Sequence, residues 1–280
     1  MIRLALEPLL VGRTLRVVDV GPHDMRARGE GRGSAFGGSW LDRRALLDGA
    51  HIARLDRRGK RLALIARDGR ALVIQLGMSG QLLAVPSNER THRHVSWSVS
   101  GRPHPVVFRD PRRFGGVTPY ASVDELHAAW DAELGDDALS IRPGRLAQAL
   151  VGARAVKAAL LDQRTIAGVG NIYADESLFR AAIDPRTRCS RLGRHQVAAL
   201  ARAIRTVLRR AVRTGGSTLR DHRTAFGVPG RAQQTHAVYG RAGQPCVRCG
   251  TPIRSARLAG RATCWCPCCQ SRGAGSVWKG

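Results

Sequence analysis

Acidic residues are scarce in this chain of 280: 21 Asp and Glu stand against 46 Lys and Arg, a formal charge of +25. That imbalance says little about fold, but it selects partners, with nucleic acid first and an anionic membrane second. Long apolar runs are missing too. No stretch approaches the roughly 18 residues of a membrane span and no signal peptide opens the chain, which argues against a membrane protein. Cysteine is sparse until the C-terminal end, where six of the seven fall between positions 246 and 269. Such clustering fits bound metal in a reducing compartment better than a secreted disulfide framework. No internal repeat is visible.

Lysine is nearly absent. Lys60, Lys157 and Lys279 are the three, leaving 43 of the 46 basic residues as arginine. Arginine stays charged near neutral pH, whereas a lysine ammonium can be tuned to move protons. A lysine inside Arg57-Arg58-Gly59-Lys60-Arg61 reads either as chosen for chemistry or as codon drift. Composition does not separate the two.

What is present concentrates near the C-terminus. Cys246-x2-Cys249 and Cys266-x2-Cys269 are two knuckles separated by 16 residues, the spacing of a closed, structural, tetrahedral zinc site. A disulfide pair or idle thiols is the alternative. Cys264 and Cys268 offer other registers, but 246, 249, 266 and 269 keep both CxxC pairs. The basic stretch between the knuckles has room for a β-hairpin with an arginine at its tip, a shape suited to a polyanion. Cys189 stands alone and reads as a small buried side chain.

With 43% hydrophobic residues, one to three domains can each bury a core. Up to about residue 120 the chain is rich in short β-type runs broken by glycine. Leu15-Arg16-Val17-Val18-Asp19-Val20 is followed by a glycine- and arginine-rich loop over 21–39. Residues 61–66, a turn at Asp68-Gly69 and residues 71–76 predict a hairpin, and 94–99 and 106–108 continue the pattern. Spaced strands with turn signals predict an antiparallel β-sandwich. Helical periodicity takes over at 123–134, 145–161, 172–182 and 194–214, with 135–144 a connector.

Two further signals carry chemistry. Gly168-Val169-Gly170-Asn171 opens the helix at 172; it reads as an ordinary capped helix or, beside +25 of charge, as a phosphate site at a helix N-terminus. Leu76-Gly77-Met78-Ser79-Gly80 and Phe108-Arg109-Asp110-Pro111-Arg112-Arg113-Phe114-Gly115 put large side chains on glycine-flanked loops. Met78 and Phe114 are core residues, or they fill the gap left by an extruded base.

Taken in order with His92-Arg93-His94-Val95, Gly215-Gly216-Ser217-Thr218-Leu219 and Val238-Tyr239-Gly240-Arg241, these motifs resemble formamidopyrimidine-DNA glycosylase from about Leu6 to Gln270. The resemblance implies an α+β multidomain protein. An N-terminal antiparallel β-sandwich (1–121) would be followed by a helix-two-turn-helix domain (122–234), a zinc finger (235–270) and a tail (271–280). It implies a monomer acting on damaged double-stranded DNA in the cytoplasm, at the nucleoid. The implied activity is excision of oxidised purines, then strand cleavage by β,δ-elimination. Met78, Arg112 and Phe114 would occupy the void and contact the orphaned base, and Lys60 would act in β-elimination. His92 and Asn171 would contact phosphates, with Lys157 also a DNA contact. Arg261 would hold the phosphate beside the abasic sugar, Glu176 would organise the lesion pocket, and one zinc ion would be structural. The Asp110-Pro111-Arg112-Arg113-Phe114 loop with Met78 favours this purine-type enzyme over endonuclease VIII, its pyrimidine-preferring relative.

Two departures shape expectations. The family opens Met-Pro-Glu, with the proline amine as nucleophile, whereas this chain opens Met1-Ile2-Arg3. Either its start is misplaced or it is a catalytically silent, damage-binding relative. Arg231-Ala232 also stands where the family has an aromatic pair, in the loop that covers the flipped base. An RNA-binding zinc ribbon is the remaining alternative, but it has no use for Met78 and Phe114.

Overall fold

The computed structural model describes residues 1–23, 25, 42–85, 91–218 and 223–270 and divides into two compact units. The first comprises Met1–Glu133 and Val212–Gln233, the second Leu134–Ala211 and Gln234–Gly280. Most of the 21–39 loop and the 271–280 tail lie outside the described residues.

The first unit opens with α1 (Ile2–Leu10) and β1 (Leu15–Val20). After them come β2 (Ile52–Arg58), β3 (Arg61–Ala66), β4 (Ala71–Gln75), β5 (Gln81–Leu83), β6 (Arg93–Val99), β7 (Val106–Arg109), β8 (Gly116–Tyr120) and α2 (Val123–Glu133). Two four-stranded antiparallel sheets result, in the orders β1-β6-β7-β5 and β2-β3-β4-β8. Val17, Trp97 and Phe108 from one sheet share a core with Ile52, Leu64 and Ile74 from the other, and Leu6 and Leu10 of α1 join it. Each such side chain contributes about 1.5–3 kcal/mol on burial. The sandwich and the β3–β4 hairpin match the spaced β-type runs and the Asp68-Gly69 turn in the sequence. β2, β5 and β8 carry weaker signals: β2 is mostly charged, β5 has three residues, and β8 contains Pro119. Proline is tolerated there because β8 is an edge strand.

α2 follows the strands in sequence and reads as the first of the helices. It packs instead on β8, and Asp131 and Glu133 pair with Arg58 of β2 and Arg61 of β3. It belongs to the β unit.

In the second unit β9 (Asp136–Asp137) and β10 (Ile166–Ala167) form a short parallel pair. Around them lie α3 (Pro143–Ala149), α4 (Val156–Leu161), α5 (Asn171–Arg180) and α6 (Arg194–Arg213), whose last two residues fall in the first unit. The single helix expected over 145–161 is two helices. Gly152 is left-handed (φ 79°), and the backbone between α3 and α4 bonds elsewhere. Arg154 O and Gly152 O accept from Cys189 and Ser190, while Val156 N donates to Thr187 O. α6 is strongly amphipathic, burying Val197, Leu200, Ile204 and Leu208 while Arg202, Arg209 and Arg213 stay exposed. A last hairpin, β11 (Arg254–Leu258) and β12 (Arg261–Trp265), lies between the cysteine knuckles.

Candidate metal centre and nucleic-acid interface

Cys246, Cys249, Cys266 and Cys269 bring their sulfurs within 4.8 Å of one another. Cys246 and Cys269 Sγ are 3.9 Å apart, and Cys249 Sγ lies 3.5 Å from both Cys266 and Cys269. Tetrahedral zinc with bonds of about 2.3 Å needs sulfurs roughly 3.8 Å apart, so the four thiols fit the ion. Backbone N–H groups of Arg248 and Cys269 donate to Cys246 and Cys266 Sγ, favouring thiolates. Hydrogen bonding by Thr251 holds the Cys249 thiol down, to about 6, whereas burial raises those of Cys266 and Cys269. The expected register is the one assembled. Cys264 sits in β12 with its N–H on Asp175, and Cys268 is exposed. Cys189 is buried, as expected.

The hairpin turns at Ala259 and Gly260, both left-handed (φ 49° and 71°), the backbone that a tight two-residue turn demands. Arg261 follows the tip and is exposed. Its neighbours are fixed to α4 and α5. Ala262 O accepts from Lys157 Nζ (2.8 Å) and Asn171 Nδ2 (2.9 Å), Thr263 Oγ1 accepts from Lys157 (2.8 Å), and Cys264 N donates to Asp175 (3.0 Å). Trp265 is covered by the Arg186 guanidinium, 4.5 Å from its ring centre.

This arrangement corrects the expectation for Lys157. Its side chain is wholly buried, and its ammonium is taken up by Ala262, Thr263 and the Asp175 carboxylate at 2.7 Å. It therefore presents no charge to DNA and fixes the hairpin instead. Asn171 is the first residue of α5, and Gly170 is its cap. The Asn171 side-chain oxygen has no hydrogen-bond partner among the described residues. Glu176 is nearly buried. Its carboxylate accepts from the backbone N–H groups of Ala237, Val238 and Tyr239 at 2.9–3.0 Å, which ties α5 to the segment ahead of the knuckles.

The first unit carries the other expected residues. Lys60 is exposed at the β2–β3 turn, which Arg57 braces by donating to Gly59 O at 2.7 Å. His92 is exposed, in the left-handed region (φ 62°), where a non-glycine residue needs support. Met78 and Phe114 are 58% and 56% exposed, large apolar side chains outside the core. Arg112 stacks on Phe114, 5.4 Å from its ring centre. Sequence reasoning gave no role to Asp110 or Ser79, although both lie inside the quoted motifs. Asp110 is wholly buried, and its carboxylate accepts from the Ser79 hydroxyl, Arg112 N (3.3 Å) and Gly115 N (2.6 Å). In the 221–233 loop, of which 221 and 222 lie outside the described residues, Ala232 is buried and its N–H bonds Gly216 O. Phe226 and Val228 are the exposed apolar residues there.

Three family models match the chain in order. The formamidopyrimidine-DNA glycosylase N-terminal domain matches residues 1–117, the H2TH domain of the same enzymes 139–223, and the zinc finger found in FPG and IleRS 243–272. The formamidopyrimidine-DNA glycosylase of Thermus thermophilus is 41% identical over 276 residues, spanning 97% of this chain and 96% of its own. That of Laribacter hongkongensis is 38% identical over 277 residues, with 96% of each covered. This chain belongs to the formamidopyrimidine-DNA glycosylase family.

Solved structures agree. MutM (Fpg) from Thermus thermophilus superimposes with a TM-score of 0.79 at 40% identity, over 97% of this chain and 96% of its own. Lactococcus lactis Fpg, in complex with abasic-site DNA, gives 0.81 at 27% identity over 96% of each. As a member of this family the chain is a DNA-repair glycosylase with one zinc-binding finger. The N-terminal match spans Lys60, Met78, His92, Arg112 and Phe114; the H2TH match spans Lys157, Asn171 and Glu176. The finger match holds Arg261 and the four cysteines. Among the described residues no helix is long and apolar enough to cross a membrane.

Proposed function

We propose that this protein excises oxidised purines, 8-oxoguanine and formamidopyrimidines, from duplex DNA and cuts the strand at the resulting abasic site by β,δ-elimination. The observation that carries this reading is the pair Met78 and Phe114, held out in solvent on braced loops with Arg112 over the ring. Exposed apolar side chains on rigid backbone suit insertion into a base stack vacated by a flipped nucleotide. Relatives bound to Fapy-dG DNA and to abasic DNA, and MutM bound to carbocyclic 8-oxo-G DNA, support the substrate class.

Each assigned residue has a task suited to its chemistry. In the form opened by Met-Pro-Glu, the proline amine bonds to the sugar C1′ as the base leaves. Lys60 moves protons while the resulting imine eliminates the neighbouring phosphates, so one site releases a base and then breaks a strand. His92 contacts the phosphates beside the lesion, and so does Asn171 through the amide N–H that its bond to Ala262 O leaves over. Arg261, rigidly presented after a two-residue turn, holds the phosphate beside the abasic sugar and assists the second elimination. Glu176 shapes the lesion pocket indirectly, through the backbone of 237–239. Cys246, Cys249, Cys266 and Cys269 would hold zinc as thiolates, a ligand set that would keep the finger folded and serve structure rather than catalysis. DNA is the partner, and one copy of the chain carries every assigned residue, so it acts as a monomer at the nucleoid.

Borohydride trapping on an 8-oxoguanine duplex tests the reading, with the chain as written beside one extended by a Met-Pro-Glu-Leu-Pro-Glu opening. The expected result is a covalent adduct with the extended chain, and strand cleavage reduced about 10²-fold or more in its Lys60→Ala variant. Absence of both adduct and base release in the two chains alike, or preference for an oxidised-pyrimidine duplex, would overturn it.

A further inference from the structure

We infer that Asp110 and Ser79 are positioning residues, which fuse the Met78 loop and the Arg112–Phe114 loop into one rigid wedge that enters the duplex as a unit. The inference rests on the proposed void-filling role of Met78, Arg112 and Phe114 and concerns how those side chains are held.

The two loops leave different strands. One joins β4 to β5 and the other joins β7 to β8, and their tips carry exposed apolar side chains that no core fixes. Two separate kinds of contact nevertheless lock them together. Side chain to side chain, the Ser79 hydroxyl donates to Asp110 Oδ1. The same carboxylate grips its own loop on both flanks of the tip, at Arg112 N (3.3 Å) and Gly115 N (2.6 Å). Backbone to backbone, the loops meet at van der Waals limit. A Cβ added at Gly77 would lie 2.6 Å from Phe114 C and O, and one at Gly115 would lie 2.4 Å from Gln75 O. Gly77 is also left-handed (φ 58°).

A third anchor comes from β6 and the residue before it. His94 Nε2 lies 3.0 Å from Asp110 O, and Asp110 N donates to His92 O at 3.1 Å. Arg113, between the two gripped residues, is left-handed at φ 54°, a conformation a non-glycine residue keeps only when its surroundings over-determine it. That turn leaves Phe114 pointing outward. The physical consequence is pre-organisation: ordering is settled on folding rather than on DNA entry, so insertion meets no added entropic cost. Burying a carboxylate in a loop that has no other use for it is otherwise unfavourable.

Ser79→Ala removes one oxygen and cuts the tie between the loops, while Asp110 keeps both bonds to its own loop. The experiment measures affinity of the full chain for a duplex bearing a tetrahydrofuran abasic analogue and for the undamaged duplex. It uses Ser79→Ala, Met78→Ala, the double variant and Ser79→Thr. Ser79→Ala is expected to lose roughly tenfold on the abasic duplex and nothing on the undamaged one. The double variant should lose no more than the worse single, because the hydroxyl acts through Met78. Ser79→Thr, which keeps the hydroxyl, should recover most of the loss. Multiplying losses, an equal loss on undamaged DNA, or unchanged abasic affinity in Ser79→Ala would overturn the inference while Met78→Ala still shows its own loss. If Met78→Ala itself loses nothing, the void-filling reading falls and this one falls with it.

Discussion

His94 and Glu176 are two buried polar side chains that reach opposite electrostatic solutions. Glu176 stays acceptable in the interior because three successive backbone N–H groups point at its carboxylate. Among the described residues the ring of His94, 1% exposed, hydrogen-bonds Asp110 O, and burial lowers its pKa below 6.5, more than the Asp110 contacts raise it. A histidine lowered in this way binds fewer protons folded than unfolded. Its contribution to stability is complete above about pH 6.5 and is lost as the pH falls from there through the folded value. Thermal unfolding of the β unit should therefore shift to lower temperature as the pH falls below about 6.5. His94→Gln should flatten that slope; an unchanged slope would assign it to other groups. At this scale the sequence was a good guide to exposed chemistry. Lys60, Met78, Arg112 and Phe114 all stand at the surface, where short glycine-flanked loops put them. It was a poor guide to Lys157, since a lysine in a helix carries no local sign that its ammonium is enclosed.

At the scale of elements, legibility followed locality. The β3–β4 hairpin has its turn chemistry written into Asp68-Gly69, and the finger has its ligands in two short knuckles. Periodicity alone missed the break between α3 and α4, because what ends the helical ladder is a distant segment, 187–190, that takes over its backbone groups. The same holds for the seat of the hairpin on α5. Burial raises the Asp175 carboxyl to about 6 and lowers the Lys157 ammonium, so desolvation outweighs the attraction between them. A pair in that condition adds little net stability, yet losing one member is costly. Lys157→Met should destabilise the second unit by about 3–5 kcal/mol in urea unfolding, and adding Asp175→Leu should restore much of it. An equal or larger loss in the double variant would show that the pair stabilises in its own right.

The molecule as a whole consists of two units with different sources of stability. The β unit rests on a sandwich core shared by two sheets, whereas the finger in the second has a small core of Phe179, Val238, Ile253 and the cysteines themselves. Removing zinc should therefore unfold the finger first, because small metal sites contribute much of the folding energy of the modules around them. Calorimetry with and without a chelator should show the change confined to the second unit, with protection of β3 and β4 amides retained in hydrogen exchange. Loss of protection in both units together would mean that they fold as one.

In the two-stranded hairpin β12 gives its outward groups at Ala262 and Cys264 to α4 and α5, which leaves β11 as the open edge, with most of its side chains facing solvent. Unpaired strand edges are templates for self-association. Arg254 and Arg257 on β11 and Arg261 on β12 put like charge on both faces of that short ribbon, so a second copy approaching edge to edge is repelled. The arginine content that suits a polyanionic partner thus also keeps concentrated protein from stacking through its fingers, and high salt would weaken both effects together.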